Sequence, residues 1–334
     1  MRSKKNVTTL SMDEGEYLET KFNGYVDMAV HAIDWTLLCT YELKPDSING
    51  IYKILALPNM QIAYTHMGGA IMYDFISPED TVSFSVVEYN SHKICLDEMK
   101  LHTADIAIIE STKQYNFMYN GEVKLLDVSI KKKAHASLFE KLLSTVNMHY
   151  HDVDGEMAQL LHSIITSYAD KNNLSLTTLL EIEQRVCTAM LALVSTQVAK
   201  STTLSKSEKI ALNVKEQIIH HMDVKINIKA LAQEHKISER SLQTAFKKLF
   251  GFTPVEFLRL MKLNLVHHEL MKNDETKTTV SRIASKWGFN HMGRFSGFYT
   301  ELFGENPSVT LKKPIPIVDG MSTHCVERKE EYTL

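Results

Sequence analysis

A chain of 334 residues with 44% hydrophobic content is long enough to build two domains with proper cores. Its four cysteines, Cys39, Cys95, Cys187 and Cys325, are scattered and form no C-x-x-C pair. That spacing argues against a disulfide framework or a zinc ribbon and predicts thiols in a reducing, cytoplasmic setting. Of the 37 basic and 40 acidic residues, the segment 207–313 holds 17 and 11, a net of +6, so the rest of the chain carries −9.

The opening MRSKKNVTTLSMDEGEYLE has basic residues but no apolar core, so no secretory signal is expected, and no apolar run approaches a membrane span. From about Phe22 to Ile130 the pattern is β. Short alternating runs are separated by turn signals at Lys44-Pro45-Asp46, Pro58-Asn59, Gly68-Gly69, Ser77-Pro78 and Asn120-Gly121. Strands this short and this regularly spaced predict a closed or sandwiched barrel over 1–133. Asn120-Gly121 is expected to turn a hairpin, because both residues accept positive φ.

The barrel holds no arginine, since none occurs between Arg2 and Arg185. A bidentate clamp on an anion is therefore missing, and only point charges such as Lys53 or Lys93 remain. A small apolar or neutral effector is the expected ligand. The candidate contacts are Tyr41, Tyr64, His66, Met72, Phe84 and Tyr115, each of which also suits an ordinary core position. The single H-x-H, His149-x-His151, has no third ligand at metal spacing and is expected on the surface between helices, so no metal or other cofactor is predicted.

Past Ala134 the period turns helical, and 134–205 is expected to form a dimerisation and linker region. Leu179, Ile182, Val186, Met190, Leu193 and Val194 form one stripe. It fits either packing on the barrel or the seam of a homodimer built from antiparallel helices.

The last third contains one unit written twice. Ile228, Leu231 and Ala232 recur 52 residues later as Val280, Ile283 and Ala284. Leu242, Phe246, Phe250, Gly251 and Pro254 recur 53 residues later as Phe295, Tyr299, Phe303, Gly304 and Pro307. The extra residue falls in the turn, where a helix-turn-helix tolerates it. Ser207 with Glu208 is expected to open a preceding helix, Ser238 to cap the first recognition helix and Asn290 the second. Thr253-Pro254-Val255-Glu256 combines a capping box with proline at the first helical position and opens a spacer helix running to about Met271. At about 1.5 Å per residue it spans roughly 27 Å, near the ~34 Å between successive major-groove faces. Arg240, Gln243, Thr244 and Lys247 point outward from the first unit, a set suited to base edges and phosphates. The second unit offers Met292, Gly293 and above all Arg294.

The runs LAQEHKISERSLQTAFKKLFGFTPVEFLRLMKLNLV and VSRIASKWGFNHMGRFSGFYTELFGENPSVTL resemble the DNA-binding domain of the AraC/XylS family, most closely its XylS side. The resemblance implies seven helices over 206–313, with Arg240, Gln243 and Thr244 base-facing in the first unit and Met292, Gly293 and Arg294 in the second. It also implies an N-terminal cupin-like jelly-roll sensor. Lys236 stands where the family usually has glycine, and Gly297 and Thr300 stand where basic residues are frequent. The first unit is therefore expected to discriminate more strongly.

Together these features predict an α+β chain: a β-barrel sensor (1–133), helices (134–205), a tandem helix-turn-helix domain (206–313) and an irregular tail (314–334). The expected function is a ligand-controlled, sequence-specific transcription regulator and activator, not an enzyme. Its expected partners are double-stranded DNA, a second copy of itself and RNA polymerase. The alternatives are a metal-dependent barrel enzyme fused to a DNA-binding domain, which lacks any cupin metal motif, and a regulator whose signal is a protein.

Overall fold

A computed structural model describes residues 12–23, 35–45, 48–111, 113–169, 171, 174–201, 204–222, 226–273 and 275–313, with a two-stranded parallel pairing of β1 (Asn6–Val7) and β14 (Ile317–Val318). The remainder of the expected tail lies outside the described residues. The described residues of the N-terminal region fold into two sheets. One has seven strands in the order β13 (His149–His151), β10 (Asp105–Glu110), β7 (Thr81–Asn90), β12 (Val123–Lys131), β5 (Met60–Gly68), β4 (Asn49–Ala56) and β2 (Tyr17–Asn23). The other has five: β3 (Thr36–Glu42), β6 (Ala70–Ile76), β11 (Gln114–Asn120), β8 (Lys93–Leu96) and β9 (Met99–Leu101). They face each other as a sandwich, not a closed barrel.

Asn120-Gly121 does not turn a hairpin. β11 pairs with β6 and β8, whereas β12 pairs with β5 and β7, so the chain crosses here from one sheet to the other. A second crossing joins β5 to β6 at Gly69, and the two are tied together by Gly121 N–H donating to Gly69 O at 2.6 Å. Positive φ at both glycines allows the sharp corner, which serves a change of sheet as well as a reversal.

Each sheet buries a different outer face. Helices α1 (Ala136–Leu143), α2 (Glu156–Tyr168) and α3 (Leu176–Thr196) cover the seven-stranded sheet. The stripe on α3 is spent there: Leu179, Ile182, Val186, Met190 and Val194 are 0–5% exposed in a core shared with Ile62, Phe84 and Val128. The packing alternative therefore holds, and the dimer seam expected from these residues is lost. Buried Glu183 on α3 accepts from Asn59 N at 2.6 Å and Asn59 Nδ2 at 3.1 Å, pinning the helix to the β4–β5 turn. His149 and His151 lie between α1 and α2 as expected, but on the edge strand β13 and half-buried rather than on the open surface, with His151 Nδ1 2.9 Å from Asp105 Oδ1. Among the described residues no cluster of three metal-binding side chains occurs, and no helix is long and apolar enough to cross a membrane.

Among the described residues seven helices follow: α4 (Lys206–His220), α5 (Ile228–Glu234), α6 (Glu239–Phe250), α7 (Pro254–Lys272), α8 (Val280–Lys286), α9 (Met292–Phe303) and α10 (Pro307–Lys312). The cap of α4 is Ser205, two residues before the expected Ser207, because only Ser205 closes a reciprocal box with Glu208. Their core does not stop at the domain edge. Tyr41, Leu43, Ala70, Met72 and Met118 from the outer face of the five-stranded sheet join the cluster that holds Phe246, Phe250 and Phe257.

Candidate nucleic-acid interface

The two helix-turn-helix units have the same turn built from different residues. Ile237 N donates to Ala232 O at 3.0 Å, and Phe289 N donates to Ala284 O at 3.0 Å, 52 positions on. The left-handed residue in the turn is Lys236 (φ 53°) in the first unit and Gly288 (φ 86°) in the second. A lysine there costs about 1 kcal/mol relative to glycine. The extra residue of the second unit follows this turn. Ser238 caps α6 and accepts from Ser241 N, but His291 and not Asn290 precedes α9, and its side chain makes no capping bond. The insertion moves Asn290 one residue out of capping range.

On α6, Leu242, Ala245, Phe246, Leu249 and Phe250 are buried, which leaves Arg240, Gln243, Thr244 and Lys247 exposed on the opposite face. The Thr244 hydroxyl donates to Arg240 O at 2.9 Å, so the methyl group is what it chiefly presents outward. On α9, Phe295, Tyr299 and Leu302 are buried and Gly293, Arg294 and Gly297 are exposed. Met292 is half-buried against the core, so it offers less outward surface than expected. A Cβ added at Gly293 or Gly297 would meet no atom within 4 Å, so this face is open and nearly bare.

Helix α7 holds the units apart and is fixed at both sides. Toward the second unit, His267 Nδ1 lies 2.6 Å from the Tyr299 hydroxyl. Tyr299 donates to Thr310 Oγ1 at 2.9 Å, and Thr310 donates to Glu305 Oε1 at 2.7 Å. Burial, then the neighbouring His268 and Lys313, pulls the His267 pKa down to about 3, so the ring is neutral and Nδ1–H is the donor that starts this chain. Glu269 accepts from Trp287 Nε1 at 2.7 Å and from Lys286. Toward the sandwich, the Asn264 amide accepts from Glu42 N and donates to Glu42 O, both at 2.8 Å.

Between the sheets lies a cavity of about 90 Å³, lined by Trp35, Tyr52, Tyr73, Phe75, Phe117 and Asp127, with Gln61, Thr65 and Ser85. Burial raises the Asp127 pKa to about 6, partly offset by a hydrogen bond from Ser85. None of the six expected ligand contacts lines it. Tyr41 and Met72 face the helix-turn-helix domain. Tyr64 sits edge-on to His162 of α2, and Phe84 packs under the helices. His66 pairs with Glu122 at 2.7 Å on the rim. Tyr115 is buried between the sheets, stacked on Phe75, with its hydroxyl accepting from Glu110 N. For Tyr64, His66, Met72 and Phe84 the cause is strand parity. Ala63 and Thr65 flank Tyr64, Tyr73 follows Met72 and Ser85 follows Phe84, and adjacent residues point to opposite faces. Lys53 pairs with Glu19, and the Lys93 side chain lies outside the described residues.

Residues 231–313 match the family model described as a helix-turn-helix domain. Over 92 residues the chain is 34% identical to a probable thc operon regulatory protein of Rhodococcus erythropolis, covering 28% of each chain. Over 128 residues it is 32% identical to XylDLEGF operon transcriptional activator 3 of Pseudomonas putida, covering 38% of each. A solved probable AraC family transcriptional regulator from Rhodopseudomonas palustris is 33% identical, covering 31% of this chain and 94% of that one, with a TM-score of 0.29. The chain belongs, through this domain, to the AraC/XylS family of transcription regulators. The match spans less than two fifths of the length of those two curated relatives.

As an AraC/XylS domain, the segment carries the two units described above. The missed signals were of two kinds. The cavity-facing polar residues were small or hidden beside bulkier neighbours, and the docking of α7 on β3 is recorded by one asparagine, Asn264, which nothing in its local pattern sets apart.

Proposed function

We propose that the chain is a sequence-specific, DNA-binding activator of transcription whose two recognition helices enter successive major-groove faces. The observation that carries this reading is the pair of turns closed by equivalent hydrogen bonds, each followed by a helix with an exposed face. In this reading Arg240 and Gln243 contact base edges, Thr244 offers its methyl to thymine and Lys247 holds phosphate. Arg294 is the main polar contact of the second unit, with Met292 and Gly293 beside it. The sandwich over 1–133 acts as sensor, its effector taken into the cavity between the sheets, and the helices of 134–205 brace it. The activator role follows the names of the Pseudomonas putida relatives and brings RNA polymerase in as a partner. A homodimer would have to use another surface than the buried stripe, such as the outer side of α3, where Leu176 and Leu180 are exposed. The reading assigns no catalytic step.

Selection of duplexes from a random pool with the full chain should yield one consensus with two half-sites about one helical turn apart. Binding to it should weaken with salt, with a log–log slope on the order of −5, as several phosphate contacts require. Recovery of no consensus, or affinity indifferent to salt, would sink the proposal.

A further inference from the structure

Resting on the reading of the inter-sheet cavity as the effector site, we infer that the effector is a compact organic amine, bound as its ammonium ion by Asp127. The cavity has apolar aromatic walls, with Trp35, Phe75 and Phe117 among them, and one acidic group. No lysine, arginine or histidine is among the described residues that line it. Asp127 sits in the middle strand β12, opposite Ala63 on one side and Ser85 on the other, so its carboxyl reaches the cavity from the sheet's centre. Among the described residues, the hydrogen bond it accepts comes from Ser85, a neutral hydroxyl that leaves the charge uncompensated.

A lone carboxylate in such a place is costly to ionise unless a cation arrives with it. An ammonium ion supplies that cation, and its N–H groups make the charge-assisted bonds that the carboxylate lacks. Tyr52 and Tyr73 line the same space and offer ring faces and hydroxyls to a bound cation. A ligand carboxylate would meet like charge and no basic partner. The volume sets the size, because a dry cavity of about 150 Å³ is known to hold benzene. At about 90 Å³ the site suits a short branched body in preference to a long chain.

The test uses three molecules with one tail: isopentylamine, 3-methylbutan-1-ol and 3-methylbutanoate, titrated calorimetrically into the unaltered full chain. The amine is expected to bind about tenfold or more tighter than the alcohol, with the carboxylate weakest. Asp127→Asn should abolish that preference while the alcohol's affinity stays within about threefold. Because the trio is run on the unaltered chain, it decides the matter even where Asp127→Asn fails to fold. Equal binding of amine and alcohol, a carboxylate preference, an amine preference that survives Asp127→Asn, or no binding of any of the three at millimolar concentration overturns the inference. DNA affinity is measured in parallel. Amine binding without any change in DNA affinity keeps the ammonium assignment and removes the control reading, whereas control by a non-amine does the reverse.

Discussion

The two helix-turn-helix units share a turn geometry but differ in what they are fastened to. The first leans on the sandwich. The last turn of α6 meets β8 and β11, where Cys95 Sγ approaches Leu249 O at 3.7 Å. Lys215 of α4, 2% exposed, donates to Asn116 Oδ1 at 2.9 Å and lies 5.8 Å from the Phe250 ring centroid. The second unit is fastened to α7, by the His267–Tyr299–Thr310 chain, by Glu269 accepting from Trp287 and Lys286, and by Arg259 over the Phe298 ring. A rearrangement of the five-stranded sheet is therefore felt first at α6, the helix with the richer outward face. The second unit follows as part of the α7 body. Helices α1, α2 and α3 brace the opposite, seven-stranded sheet.

Acid should break both fastenings of α7, and this is the largest effect expected. His267 faces the second unit, and His268 faces Thr40 and Tyr41 on the sandwich. Burial lowers the His267 pKa to about 3 and the His268 pKa to about 4, against 6.5 when unfolded. Between those values the unfolded chain binds more protons, so stability present above pH 6.5 is lost as pH falls toward 4. At pH 5 the loss is on the order of 2 kcal/mol for each histidine. Thermal unfolding followed from pH 7.5 to 5 should show it, and His267→Gln with His268→Gln should flatten the slope. An unchanged slope in the double variant would place the acid sensitivity elsewhere.

The second expected effect separates the units on DNA. Arg240→Ala should weaken binding to the selected site by about 1–3 kcal/mol and relax one base position. Arg294→Ala should cost less than about 1 kcal/mol, since α9 offers few other contacts to support a read base. Gel-shift titrations on matched and single-mismatch duplexes measure both. A larger loss at Arg294 would reverse the ranking of the units.

The contrast also shows what a sequence records. Repeats, caps and the apolar face of each recognition helix are local, and Leu242, Phe246, Phe250, Thr253 and Glu256 take the places their spacing dictates. Strand faces are less legible. Short runs such as AIMYDFI carry bulky residues on both sides because this sheet is covered on both sides, so alternation no longer marks a single core. Met72 and Tyr73 were therefore indistinguishable in kind, though one packs on the helix-turn-helix domain and the other lines the cavity. Sheet membership was hidden too, since Asn120-Gly121 encodes a corner without naming the strand beyond it.

A third test loosens the seat of α7 on the sandwich. Asn264, 1% exposed, occupies the free edge of β3 in place of a neighbouring strand, pairing with both backbone groups of Glu42. Asn264→Leu keeps the volume and removes the two hydrogen bonds that Asn264 makes to that N–H and C=O, at a cost of about 1–2 kcal/mol. Hydrogen exchange at the Glu42 amide should accelerate while the His267 network stays intact. DNA affinity should persist, and any effector response should shrink. A full effector response in this variant would move the coupling route away from α7.

The smallest effect tests the bareness of the second unit by filling it. Gly297 is exposed in the middle of α9, one turn past Gly293, and a side chain there meets nothing within 4 Å. Gly297→Arg should therefore fold without strain and gain up to about 1 kcal/mol of helix stability, because glycine is the poorest helix former after proline. The new guanidinium would extend from the same side of the helix as Arg294, within reach of the sugar–phosphate backbone. One added phosphate contact should tighten binding severalfold at low salt, alike on specific and unrelated duplexes, and steepen the log–log salt slope by about 0.9. A sequence-dependent gain would instead mean that α9 sits deep enough for position 297 to reach bases. No gain at all, in a variant shown to be folded, would mean that this face does not touch DNA and that the first unit binds alone.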